Sequence, residues 1–177
     1  MRPSFTIGIE EEYQTIDPVT RDLRSHIDTE IIEKSKMELH EAVKPEMHQS
    51  VVEVGTGICS NIKEAREQVR TLRCAIIKLA VENGLRLGAA GTHPFADWRK
   101  QGIYPDERYQ TIVEDMKTVA RANLIFGLHV HIGVEDRETA IHLDLKRVVF
   151  GIGVVEVSGD PLESRERAVE LRIPRTQ

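Results

Sequence analysis

The sequence predicts an α+β domain in which a mostly antiparallel sheet is flanked by helices. Three observations predict it. Strand-like and helix-like stretches follow one another as strand, strand, helix, strand, helix, strand, with connections too irregular for a repeated βαβ unit. The stretch FTIGIEEEYQTI interleaves apolar and acidic positions as a strand does, and Asp17-Pro18 ends it with a turn signal. From Ile62 through Val69, Leu72, Ile76, Leu79 and Ala80, apolar residues instead recur at helical spacing. Neither an internal repeat nor a low-complexity segment interrupts the pattern.

Taken in order, Phe5 to Ile16 reads as the first strand and Thr29 to Leu39 as a helix, with Ile31, Ile32 and Met37 set among charges. Glu46 to Val54 reads as one further strand, closed by the Gly55-Thr56-Gly57 loop. The long helix follows, capped by Ser60 or Asn61, with Gly84 just past its end where a left-handed residue is expected. Leu85 to Ala90 is a strand running into the turn Gly91-Thr92-His93-Pro94. A second helix spans Glu107 to Ala122, a strand Leu124 to Val134, and a short helix Arg137 to Leu143. The charged tail from Glu163 to Arg175 reads as a solvated helix face.

A chain of 177 residues fits one domain whose core needs no disulfide. Only 5% of residues are aromatic, so that core rests on Ile, Val, Leu and Ala. A net charge of -5 argues against a general nucleic-acid binder, which needs a basic surface. No apolar stretch approaches the roughly 20 residues that cross a bilayer, and the first residues carry no signal-peptide core. Cys59 and Cys74 make no disulfide framework, and Cys59, beside Ile58 and Ile62, reads as a packed thiol. A cytoplasmic location is the expectation.

Three segments hold the chemistry. In Gly8-Ile9-Glu10-Glu11-Glu12, a strand places Glu10 and Glu12 on one face about 7 Å apart, and Glu11 on the other with Ile7, Ile9 and Tyr13. Such a pair is either a solvated acidic edge or a ligand pair for a hard divalent cation. In PEMHQSVVEVGTG, Glu53 stands between Val52 and Val54, where burial demands a salt bridge or a cation. Glu46 and His48 face together, but a regular strand turns Glu53 away from them; only a bulge or break would bring all three together. In Gly127-Leu128-His129-Val130-His131-Ile132-Gly133, the two histidines share a face and the aliphatic residues take the other. The pair fits metal binding, donation to phosphate or an ordinary half-exposed strand. The loop Gly91 to Phe95 follows a strand, where ligand-binding loops commonly sit, and Glu107-Arg108-Tyr109-Gln110 offers an arginine and a phenol suited to holding a carboxylate substrate, although it also reads as a plain helix start.

In order, FTIGIEEEYQTIDP, PEMHQSVVEVGTGIC, GAAGTHPFADW, DERYQ and FGLHVHIGV resemble the YbdK-like carboxylate–amine ligases of the type 2 glutamate–cysteine ligase family, in register over about residues 5–143. The resemblance implies a glutamine synthetase-like fold, a curved antiparallel sheet whose concave face binds ATP and Mg²⁺ or Mn²⁺. It implies ATP-dependent activation of a glutamate γ-carboxylate and its capture by an amine, typically that of cysteine. Carried onto these residues, it makes Glu10, Glu12, Glu53 and His129 metal ligands, and places His129 and His131 at the nucleotide. Together these five form the expected catalytic set. Thr92, His93, Arg108 and Tyr109 become substrate-binding residues.

On this reading, residues 1–143 are the N-terminal part of the catalytic domain and 144–177 a divergent segment of an apparently truncated chain. Gly153-Val154-Val155-Glu156-Val157, with Asp160-Pro161-Leu162 after it, is similar to a late family strand, with Ser158 where an arginine is expected. An opened half-sheet would expose an edge, so a homo-oligomer or partner chain completing the sheet is expected. Two other readings stand beside the active ligase: a ligase-like protein that binds nucleotide or metal without turnover, and a metal-dependent hydrolase that uses no ATP.

Overall fold

β1, Thr6–Ile16, is the spine of the sheet, because its two edges serve three partners. The computed structural model describes residues 5–26, 31–32, 42–134 and 138. β2 (Val43–Pro45) and β3 (Val51–Gly55) form a hairpin that pairs with β1 through β3. On the other edge of β1, β5 (Leu128–Gly133) pairs with its first half and β4 (Arg86–Gly88) with its end. Every pairing is antiparallel. The expected α+β class with an antiparallel sheet therefore holds.

The hairpin corrects the single strand expected over Glu46 to Val54. Pro45 has no N–H with which to extend a ladder, and residues 46–50 turn the chain instead. In that turn the Gln49 N–H donates to Gly102 O at 2.9 Å, and Ser50 O accepts from the Thr15 N–H at 2.9 Å.

α1, Ile62–Glu82, lies on one face of the sheet. The Asn61 side chain caps it by accepting from the Lys63 and Glu64 N–H groups, and Glu64 accepts in return from the Ser60 N–H at 2.8 Å. Gly84, at φ 71°, takes the left-handed turn after it. Leu72, Ile76, Leu79 and Ala80 pack on Tyr13, Val52 and Val54, with Ile31 and Ile32 closing the same core. Burying each such aliphatic side chain stabilises the fold by about 1.5–3 kcal/mol. Glu11 lies on this face too, and is 7% exposed. Arg73 of α1 and the Tyr13 hydroxyl both donate to it. Burial works against the Glu11 charge, but those bonds hold its carboxyl below the usual range. The contact clamps α1 to β1.

α2 (Glu107–Met116) and α3 (Thr118–Ala122) replace the single helix expected over Glu107 to Ala122, because Lys117 adopts φ 49° between them. The strand expected from Leu124 begins at Leu128. Leu124 and Phe126 do alternate inward, but their partners are the Gly91–Thr92 turn rather than a ladder. They join Val51 in a second apolar cluster, against which Ala96 and Trp98 pack. Of the helix expected over Thr29 to Leu39, Ile31 and Ile32 are helical and the remainder lies outside the described residues. Glu138 is helical, and the rest of the Arg137 to Leu143 segment lies outside them, as does everything after it.

Candidate functional site

The face of the sheet opposite α1 carries the charged residues, and strand register places them. Across β5, β1, β3 and β2, Glu10 is paired with His129, Gly8 with His131, Glu12 with Glu53, and Glu53 with Lys44. Paired residues in an antiparallel sheet share a face. Glu10, Glu12, Glu53, His129 and His131 are thus brought together by the strand pairing, and within it Glu10 shares a face with Glu12, and His129 with His131, as the alternation along β1 and β5 predicts.

Their side chains form two neighbouring groups. Glu10, His129 and His131 each offer one atom within 4.8 Å of the others, and so do Glu12, Glu46 and Glu53. In the first, the Glu10 carboxylate meets His131 Nε2 at 3.0 Å and His129 Nδ1 at 3.5 Å. Burial opposes its charge, but the hydrogen bond and charge of His131, with help from His129 and Lys44, hold the carboxyl below its usual range. The second group is held less comfortably. Glu53 is 9% exposed, and burial together with the charges of Glu10 and Glu46 pushes its carboxyl up to about 7. Burial also raises Glu12, against the opposing effect of the Gly127 N–H, which donates to it at 2.6 Å.

Glu46 is the residue that strand parity turned away. The hairpin break after Pro45 returns it to the face that β3 gives Glu53, so these two converge; His48 does not join them, being buried with its Nε2 3.1 Å from Arg121 O. Gly127 is a second residue whose part shows only in three dimensions. A Cβ there would lie 2.9 Å from His129 Nε2 and in ordinary contact, 3.4 Å, with Glu12 Oε2, so the missing side chain is what lets His129 close in.

The donor sets fit divalent cations. Three carboxylates suit hard, oxygen-seeking Mg²⁺ or Mn²⁺, and a carboxylate with two imidazoles suits Mn²⁺ or a softer ion. A cation in the second group would relieve the strain on the Glu53 charge, which the described protein neighbours leave largely uncompensated.

A family model for glutamate–cysteine ligase family 2 (GCS2) matches residues 6–151. The chain belongs to that family. Among its curated relatives, the "Putative glutamate--cysteine ligase 2" of Solibacter usitatus is 73% identical over 143 residues, covering 81% of this chain and 37% of the relative. The protein of the same name from Herpetosiphon aurantiacus is 58% identical over 139 residues, 78% of this chain and 36% of its own. That of Sorangium cellulosum is 55% identical over 183 aligned positions, 97% of this chain and 48% of its own. This GCS2 chain therefore spans about a third to a half of the curated relatives it matches.

The remaining motif residues are placed differently. Tyr109, on α2, reaches the carboxylate side of the sheet, where its hydroxyl donates to Pro45 O at 3.2 Å. Burial, with the nearby charges of Glu46 and Glu53, pushes this phenol up to about 12, so it is a neutral donor beside the second group. Arg108 is exposed at the start of the same helix. Thr92 and His93 engage their side chains within the fold: the Thr92 hydroxyl donates to Leu124 O at 3.3 Å, and His93 Nε2 meets Arg21 O at 3.0 Å. His93 Nδ1 also accepts from the Ala96 N–H at 3.1 Å. These bonds hold the loop that packs on the second apolar cluster, beside the Gln14 end of the charged face, where Gln14 donates to Ala90 O at 3.2 Å.

Proposed function

We propose that this chain is the metal- and nucleotide-binding part of an ATP-dependent carboxylate–amine ligase that joins glutamate to an amine such as cysteine. The observation that carries it is the pair of ligand groups that share β1: Glu10 with His129 and His131, and Glu12 with Glu46 and Glu53. Successive same-face residues of a strand lie about 7 Å apart, so two cations would stand close enough to flank one polyphosphate. We assign the complete protein a glutamine synthetase-like sheet, of which these strands are one part.

The chemistry proposed proceeds in two steps. A γ-carboxylate oxygen of glutamate attacks the γ-phosphorus of ATP, and ADP leaves with the electrons of the broken P–O bond. The amine nitrogen then attacks the acyl carbon of the γ-glutamyl phosphate, inorganic phosphate leaves, and the amine loses a proton. Bound Mg²⁺ or Mn²⁺ supplies charge neutralisation for the phosphates. The protein's own share is to hold four carboxylates and two imidazoles at fixed spacing, while Arg108, and Tyr109 on exchanging its bond to Pro45 O, offer donors to substrate. His129 meets Glu10 at 3.5 Å and bears electrostatically on Glu12, so it stands between the two groups.

ADP release from the purified chain with ATP, Mg²⁺, glutamate and cysteine, each omitted in turn, tests the reading. Release that needs both amino acids and is lost in a Glu10→Gln, Glu12→Gln variant is expected. Nucleotide and metal binding without release would make the chain a binding subunit; metal-dependent hydrolysis with no nucleotide requirement would refute the ligase reading.

Among the described residues, β5 pairs on one edge alone, and Leu128 is 53% exposed. That edge and side chain support completion of the sheet by a second copy or a partner chain. A monodisperse monomer in sedimentation would count against that. No helix among the described residues is long and apolar enough to cross a membrane, and a cytoplasmic setting is part of the same proposal.

A further inference from the structure

Lys44 stands at the middle of β2, exposed, on the charged face of the sheet. Register sets it opposite Glu53, and Glu53 opposite Glu12, so a cation, a carboxylate and a carboxylate form one row across three strands. Neighbouring strands are about 4.8 Å apart, and the flexible four-carbon stem of lysine spans more than one such step. Its charge is felt in the site, where it opposes the upward push on Glu53 and helps hold Glu10 ionised.

An ammonium donates three hydrogen bonds and cannot ligate a cation. Its place in this row therefore needs another explanation, and charge balance provides one. Three carboxylates around a divalent cation leave one negative charge over, which by itself repels an incoming anion. The Lys44 charge cancels that excess and turns the rim of the second group into a site that accepts an anion. A phosphoryl group gains most, because it has enough oxygens to touch cation and ammonium at once and carries more charge than a carboxylate.

We propose that Lys44 binds the phosphoryl group brought to the Glu12, Glu46 and Glu53 cation site, holding it from the β2 side of the sheet. The proposal deepens the ligase reading and rests on that metal site being real.

The test uses the full chain, with Mn²⁺ followed by electron paramagnetic resonance and ADP by calorimetry. The Lys44→Met variant should bind Mn²⁺ alone as tightly as the unaltered chain, or more tightly. It should bind ADP in the presence of Mn²⁺ about tenfold or more weakly, as expected for loss of a charge-assisted contact. Lys44→Arg should restore ADP binding to within about threefold, because it returns the charge. Lys44 is exposed on an edge strand, and an unchanged melting temperature would show that neither variant disturbs the fold. Unchanged ADP binding by Lys44→Met would overturn the proposal. So would an effect confined to L-glutamate binding, which would assign Lys44 to a carboxylate. If the unaltered chain fails to bind Mn²⁺, the metal site itself fails and Lys44 loses this role with it.

Discussion

Replacing Glu53 by glutamine should stabilise the metal-free chain at alkaline pH, although it alters a buried side chain in the middle of the sheet. Glu53 is 9% exposed, and burial with the charges of Glu10 and Glu46 moves its carboxyl from an ordinary 4.5 to about 7. In the unfolded chain it releases its proton near 4.5; in the folded chain it keeps that proton until about 7. Between those values the folded state binds more protons, so stability falls as pH rises, and it levels off above 7. At about 1.4 kcal/mol per pH unit the loss is about 3 kcal/mol, or on the order of 5–10 °C in melting temperature for a chain of this size. Glutamine has nearly the same shape and no charge to lose.

Thermal melts in EDTA at pH 5 and pH 8 would measure this as the difference between the two proteins. The comparison matters because His26 and His48, lowered by burial, lose stability in the opposite direction, as pH falls below 6.5. Both proteins share that contribution, so it cancels. The variant should melt above the parent at pH 8, with the gap closing by pH 5. Millimolar Mg²⁺ should raise the parent's melting temperature and leave the variant's almost unmoved. A variant that melts below its parent at pH 8 without metal would refute the electrostatic reasoning, and an equal response to Mg²⁺ would remove Glu53 from the ligand group.

Two further outcomes follow from the packing. Gly127→Ala places a Cβ 2.9 Å from His129 Nε2, with Glu12 Oε2 in ordinary contact at 3.4 Å; it should weaken Mn²⁺ binding about tenfold by calorimetry while melting within a few degrees of the parent, since a shift of a few tenths of an ångström at the His129 ring affects binding more than folding. Arg73→Met leaves Glu11 buried without its cation; urea unfolding should show a loss of about 2 kcal/mol, below the range for fully buried pairs because Arg73 is half exposed. Adding Glu11→Gln should restore part of that loss, and a further loss would show that Glu11 has a role beyond the pair.

Alternation was enough to place most of the charged face. Glu10 and Glu12 share a side of β1 because residues two apart must, and His129 and His131 share a side of β5 for the same reason. The order of strands then brings those sides together. What alternation missed depended on where strands stop. Glu46 lies seven residues before Glu53, an odd separation that sets them on opposite faces of a continuous strand; the turn over residues 46–50 contains no glycine or Asn-Gly pair to announce it. The break at Lys117 was hidden in the same way, because lysine is a good helix former that here takes a positive φ. Arg73 lies on a helix otherwise read from its apolar stripe. The one hint of it was Glu11, an acidic residue on an apolar face, which required a cation from the element packed above. His93 looks like a ligand in the sequence, yet its two nitrogens are engaged by the Arg21 carbonyl and the Ala96 N–H.

The run of three glutamates on β1 shows how one strand serves the fold and the site together. Glu11 faces α1, meets Arg73 and Tyr13, and ties the long helix to the strand. Glu10 and Glu12 face the other way and enter separate ligand groups. The backbone between them cannot rotate without moving Glu11, so the clamp beneath limits how far the two carboxylates above can part. Like charges at this spacing repel, and in the metal-free protein the Glu10 charge is one of the causes that raise Glu53. A sheet secured only by hydrogen bonds at this point would relax by twisting the pair apart, and a cation would then have to draw the ligands back at a cost in affinity. The Glu11–Arg73 contact removes that freedom before any cation arrives. Its loss should therefore weaken Mn²⁺ binding as well as folding, although neither residue faces the site.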